Sequence, residues 1–288
     1  MSRFIITTDS ACDITPDILK EWGIPFCSLT FRFDGEGKEY SNFDMSADRF
    51  YEKMKEGGIA RTSAVNIETF ARFFESHLEK GTDILHLGFS SGLSTTYNSA
   101  RLASEQLKEK YPDRKIVVVD TLSASAGFGL LVYLTLKKKN EGASIEETAM
   151  YAEELRPRLC HWFTVDDLVY LKRGGRISPT VAFVGNMLGI KPVLHMDDAG
   201  HLINMTKVRG RKTSVNALAD KYDELALDPK NSTVFISHGN CIEDAKYLAE
   251  LIKTRHGVDT EIITDVGPVI GAHTGPGVLA LFFVGRER

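Results

Sequence analysis

Four cysteines are scattered over the 288 residues, Cys12, Cys27, Cys160 and Cys241, and no two of them form a Cys-x-x-Cys pair. This excludes a disulfide framework and a zinc knuckle. The eight histidines include no i,i+4 pair and no ligand-like spacing with a carboxylate, so no metal is expected. No apolar run approaches the roughly 20 residues of a membrane span. The chain starts on a strand-like segment without a signal-type leader, which predicts a cytoplasmic protein. Neither a G-x-G-x-x-G turn nor a Walker loop occurs, so the sequence is not built around a dinucleotide or a nucleoside triphosphate. A net charge of −4 with a pI near 6.1 gives no general attraction to nucleic acid or to an anionic membrane. Internal repeats and low-complexity segments are also missing.

What remains is an ordinary globular composition, with 43% hydrophobic residues, enough for one large domain or two lobes. Short apolar β-type runs at residues 4–7, 84–87 and 115–119 alternate with helical periodicities, several opened by a capping residue such as Thr15 before Pro16 or Ser46. That alternation predicts a parallel sheet covered on both faces, with ligands bound beyond the carboxyl ends of its strands. Arg156-Pro157 interrupts the pattern and suggests two lobes, residues 1–156 and 157–288. The second lobe, with a hairpin signal at Asp198-Ala199-Gly200, reads as α/β with a mixed sheet. The expected fold class is therefore two-lobed α/β, with the ligand cleft between the lobes.

Hydroxyl groups gather where such a cleft would lie. Gly88-Phe89-Ser90-Ser91-Gly92-Leu93-Ser94-Thr95-Thr96-Tyr97 runs from a strand into a helix, where free N–H groups and Ser/Thr hydroxyls favour an anion. One hydroxyl would suffice for capping. Asp9, Ser10, Thr62, Ser63 and Asp120 fall at other strand ends. Gly88 to Gly92 also satisfies G-x-S-x-G, and with His273 downstream it offers an alternative, a serine-type esterase or acyl hydrolase. Against this, no oxyanion segment precedes the strand and no acid is singled out. His273 sits in what reads as a Gly/Pro-rich loop, 267–277, and Lys172-Arg173-Gly174-Gly175-Arg176 reads as a compact basic turn suited to a carboxylate, a phosphate or an acidic protein face.

These blocks, taken in order, resemble the DegV family. Arg61-Thr62-Ser63 is similar to its Thr-Ser loop, and Ser90 to Tyr97 to its Ser-Ser-x-Leu-Ser-Gly-Thr-Tyr motif, with Thr95 in place of the usual glycine. Residues 168–177, Lys191-Pro192 and 267–277 match later blocks. The resemblance implies a non-catalytic carrier without a cofactor. It would hold a long-chain fatty acid, present the carboxylate to a separate ATP-dependent fatty-acid kinase for acyl-phosphate formation, and touch membranes at most transiently. By position, Thr62 and Ser94, with the hydroxyls of Ser63 and Thr95, would bind the carboxylate, His273 and Arg173 would complete the network, and Arg176 would dock the kinase. The apolar runs 181–188 and 278–284 would be compatible with a tunnel wall, and equally with plain core.

Overall fold

A computed structural model describes residues 4–177 and 189–288. In chain order the first half contains β1 (Phe4–Asp9), α1 (Pro16–Glu21), β2 (Phe26–Cys27), β3 (Thr30–Phe33), β4 (Tyr40–Ser41), α2 (Ala47–Lys55), β5 (Ala60–Ser63), α3 (Ile67–Leu78), β6 (Asp83–Gly88), α4 (Thr96–Lys110), β7 (Ile116–Asp120), α5 (Ser125–Asn140) and α6 (Ile145–Leu155). Strands β2-β1-β6-β7 form an all-parallel sheet in that order. Helix pairs α3/α4 and α5/α6 pack over it.

The second half runs β8 (Leu159–Thr164), α7 (Val169–Gly174), β9 (Ile190–Met196), β10 (Leu202–Arg209), α8 (Arg211–Leu225), β11 (Phe235–His238), α9 (Ile242–His256), β12 (Ile262–Asp265), α10 (Pro268–Thr274) and β13 (Leu279–Val284). Its six-stranded sheet, β10-β9-β8-β13-β11-β12, is antiparallel except for the parallel β11/β12 pair. The expected class, a parallel-sheet part followed by a mixed-sheet part, is the one observed.

Helix α5 joins the two sheets. Every residue from Ser125 to Val132 is buried, because its first two turns lie against β8, β11 and β13 on one side and the N-terminal core on the other. A helix apolar all round belongs in such a place, not at a surface. Gly127 permits the close approach: a Cβ there would lie 2.4 Å from His161 Nε2 and 2.5 Å from the Phe282 ring.

Three local expectations are corrected. The apolar alternation over residues 24–33 predicts one strand, but the segment is split into β2 and β3. Leu29 N–H donates to Ser10 Oγ at 2.9 Å, and the chain leaves the parallel sheet after β2 to enter a separate sheet, β4-β3-β5. Thr62 and Ser63, read as loop, belong to strand β5 of that small sheet, whose Phe31 and Phe33 meet Phe50 and Tyr51 of helix α2 in a cluster of edge and tilted ring contacts. Such aromatic pairs add about 0.5–1.5 kcal/mol each beyond area burial. The third correction concerns 267–277, which contains helix α10. Its first free N–H groups find tertiary acceptors, Gly267 N–H on Asp13 Oδ1 at 3.0 Å and Val269 N–H on Asn42 Oδ1 at 2.8 Å. With Pro268 at the first helical position, those bonds stabilise a turn too short to persist alone. Helix α10 packs against α7, α2 and the small sheet, so this C-terminal segment is part of the N-terminal aromatic core. The expectation for 181–188 lies outside the described residues.

Candidate functional site

Between the two larger sheets lies a cavity of about 260 Å³. Small-molecule sites span roughly 300–1,000 Å³, so this one falls just below that range. Most of its wall is apolar, including Leu29, Phe89, Phe163, Met196, Val266 and Phe282. Among the described residues no carboxylate lines it, which leaves the polar part of the wall to hydroxyls, imidazoles and one guanidinium.

Strand β5 and helix α10 bring together the first polar pair. Thr62 stands opposite Phe31 in the β3/β5 register, so both point to the face that α10 covers. His273, on the last turn of α10, reaches that face with Nε2 2.8 Å from Thr62 Oγ1. Burial first, and the nearby Arg176 charge second, pull the His273 pKa down to about 4, so the imidazole is neutral at pH 7. Its Nδ1 is buried with no hydrogen-bond partner and lies against Gly174, where a Cβ would be only 2.1 Å away.

Ser94 forms the next part of the wall. Its Oγ accepts from Thr96 N–H at 3.2 Å and lies 2.9 Å from Thr96 Oγ1, so this hydroxyl closes the start of α4 while facing the cavity. Thr95, at the N-cap, makes no capping bond with its side chain. Ser63 and Thr95 line the cavity where they are also solvent-exposed, which places the polar wall at the mouth.

The two arginines occupy places opposite to those expected. Arg176 is half-buried, lines the cavity and donates from Nε to the Leu93 carbonyl at 3.1 Å and from a terminal nitrogen to the Gly174 carbonyl. Arg173 is exposed, lies 5.7 Å from the Tyr170 ring centre and does not line the cavity. The cause is the local fold: residues 169–174 continue as helix α7 and only Gly175, with φ of +68°, reverses the chain. Arg173 therefore projects from the helix, and Arg176 turns back inward.

Asp9, Ser10 and Asp120 brace loops instead of facing the cavity. Asp9 accepts from Ala11 N–H at 3.0 Å and from Phe89 N–H at 2.8 Å, and burial raises its pKa to about 7. Asp120 accepts from Ser91 N–H at 3.2 Å and Leu122 N–H at 3.1 Å. Ser90 is fully buried and donates to the Gly200 carbonyl at 2.9 Å, while His273 Nε2 is held by Thr62; the hydrolase arrangement of Ser90 with His273 is not assembled. Sequence reasoning missed Ser125, Ser237 and His161, which line the cavity away from the mouth; no short motif signals them. No group of three or more His, Cys, Asp or Glu residues could hold a metal among the described residues, and none of the described helices is long and apolar enough to cross a membrane.

Two α/β parts thus enclose an apolar cavity with neutral hydrogen-bonding groups and an arginine at its mouth. The family model described as "Uncharacterised protein, DegV family" matches residues 3–286. The chain belongs to the DegV family. A DegV domain-containing protein of Clostridium perfringens is 44% identical over 100% of this chain and 99% of its own. Among solved structures, a DegV lipid-binding protein from Thermotoga maritima superposes with a TM-score of 0.87 at 30% identity, covering 99% of both chains. A protein from Eubacterium ventriosum described as stearic acid-binding does so with a TM-score of 0.88 at 27% identity, covering 98% of both.

Proposed function

We propose that this protein binds a long-chain fatty acid, with the carboxylate at the mouth among Thr62, Ser94, His273 and Arg176, and the alkyl chain in the apolar cavity. The observation that carries the reading is the cavity itself: a mostly apolar wall between two sheets, without a carboxylate, with hydroxyls and a guanidinium gathered at the opening. A carboxylate there exchanges water for charge-assisted bonds, and the chain gains about 0.8 kcal/mol per buried methylene. The related proteins described as binding lipid or stearic acid support the ligand class.

The headgroup end is the exposed end, which suits a carrier that offers its carboxylate to a second protein. The family resemblance supports a fatty-acid kinase in that role, the carboxylate oxygen attacking the γ-phosphate of ATP to give acyl phosphate and ADP. Transient membrane contact would load the carrier. Ser63 and Thr95 flank the mouth as further hydroxyls, and Arg173, exposed beside it, replaces Arg176 as the charge available to a partner. The test is mass spectrometry of organic extracts from natively purified protein, followed by refilling of the stripped protein. A fatty acid in near-stoichiometric amount is expected. Failure to retain any fatty acid, or turnover of simple esters that Ser90→Ala abolishes, would overturn the reading.

A further inference from the structure

The deep part of the cavity contains a polar cluster that the carboxylate site does not use. Ser125, Ser237 and His161 all line the cavity and are, respectively, 6%, 0% and 2% exposed. Ser125 Oγ donates to Asp13 Oδ2 at 2.6 Å, and Ser237 Oγ lies 3.0 Å from Ser125 Oγ. Asp13 is itself fixed, its Oδ1 taking the Gly267 N–H and its carbonyl the Thr264 hydroxyl. With the Ser125 proton on Asp13, the Ser237 proton goes to Ser125, and the Ser237 lone pairs are left to the cavity. His161 adds a second acceptor nearby. Its Nδ1 is engaged at 2.9 Å by the Leu159 carbonyl, and its Nε2 has only a 3.5 Å approach from Ala124 N–H, next to Ser125.

Helix α10 measures how far this cluster is from the mouth. Asp13 is bonded at the helix start, Gly267, and Thr62 at its last turn, His273. Six residues at about 1.5 Å each separate the two positions by roughly 9 Å. We infer that Ser237 and Ser125, backed by Asp13, form a second polar subsite that takes a hydroxyl carried partway along the acyl chain, so that hydroxylated fatty acids belong to the ligand class of this protein. This rests on the fatty-acid reading above and narrows it. A plain alkyl chain would cover these lone pairs without pairing them, whereas a mid-chain hydroxyl would pair them, and buried groups built to meet a hydroxyl discriminate strongly against its absence. A hydroxyl both donates and accepts. Burial raises Asp13 to a pKa of about 7, so near neutrality its proton can also run outward through Ser125 and Ser237, and the same ligand group is served in either state.

The test compares stearic acid with two hydroxystearic acids, one hydroxylated near mid-chain and one beside the carboxyl group, by displacement of a fluorescent fatty acid from lipid-stripped protein. Wild type should prefer the mid-chain isomer over stearic acid by about tenfold. Ser237→Ala, which leaves the Ser125–Asp13 bond in place, should remove that preference without weakening stearic acid. Ser237→Thr should restore it, and the isomer hydroxylated beside the carboxyl group should be indifferent to all three. If stearic acid binds but wild type shows no mid-chain preference, or Ser237→Ala leaves it intact, this inference falls alone. Should no fatty acid bind wild type, the reading beneath it falls too. The wild-type comparison decides the matter even if the variants do not fold.

Discussion

Thr62 Oγ1 and His273 Nε2 lie 2.8 Å apart although 211 residues separate them in the chain. The bond joins the small N-terminal sheet to the short helix that precedes the last strand, and it closes the mouth of the cavity from both halves of the molecule. Because His273 is neutral, the pair would, on the proposed reading, orient a carboxylate without adding charge, and Arg176, which lines the same cavity, would supply the charge.

Thr62→Val and Ser94→Ala should each weaken fatty-acid binding by about one to two decades, since a hydrogen bond to a charged group is worth roughly 1.5–3 kcal/mol. Displacement titration measures this, with circular dichroism to check the fold. Wild-type affinity in both variants would reject the carboxylate site.

The two arginines should separate binding from delivery. Arg176→Ala should loosen the ligand by about tenfold or more. Arg173→Glu should bind normally yet slow kinase-dependent acyl-phosphate formation under limiting kinase, because reversing an exposed charge at a docking face lowers the association rate. The assignment is falsified if the two phenotypes are exchanged.

Gly174→Ala should cost about 1–3 kcal/mol of stability, the usual penalty for overpacking, because the new methyl would overlap His273 Nδ1. Urea denaturation reports the loss. Adding His273→Ala removes the overlap, so the double variant should be no less stable than His273→Ala alone. A fully additive double variant would show that the clash is relieved elsewhere.

Acidification should destabilise the fold between about pH 6.5 and 4. Burial lowers the pKa of His273 and His195 to about 4, of His86 to about 3, and of His161 well below its usual value. In that window the unfolded chain binds protons that these folded histidines refuse, so their contribution is present above the unfolded pKa and is lost as pH falls. Asp9 and Asp13, raised to about 7, act in the opposite sense, the folded state taking the proton first. His238 and Asp265, 3.5 Å apart, shift in opposite directions and offset each other. Four histidines against two carboxylates leave the histidines in control. Denaturant titrations at pH 7 and pH 5 check the sign; greater stability at pH 5 would refute it.

Much of the scaffold could be read from local pattern. Thr15, Ser46 and Ser144 cap helices as their types and spacing imply, Ser144 in a full capping box with Glu147, and the apolar runs before Gly88 and Asp120 are parallel strands. Of the hydroxyls from Ser90 to Thr96, only those of Ser94 and Thr95 reach the cavity.

Sequence alone determined most of the alternation of strands and helices, the caps and the position of the hydroxyl-rich turn, because each depends on neighbours within a few residues. Tertiary structure decided the rest. Thr62 lies in a strand because Phe31 offers it an antiparallel edge, and α10 is a helix because Asp13 and Asn42 accept its first N–H groups. Arg176 faces inward because the helix before it continues to Gly174. Asp13, Ser125 and Ser237 meet because α5 is pressed between two sheets. In each case the deciding partner is remote in the chain, and periodicity or spacing within a local window contains no information about it.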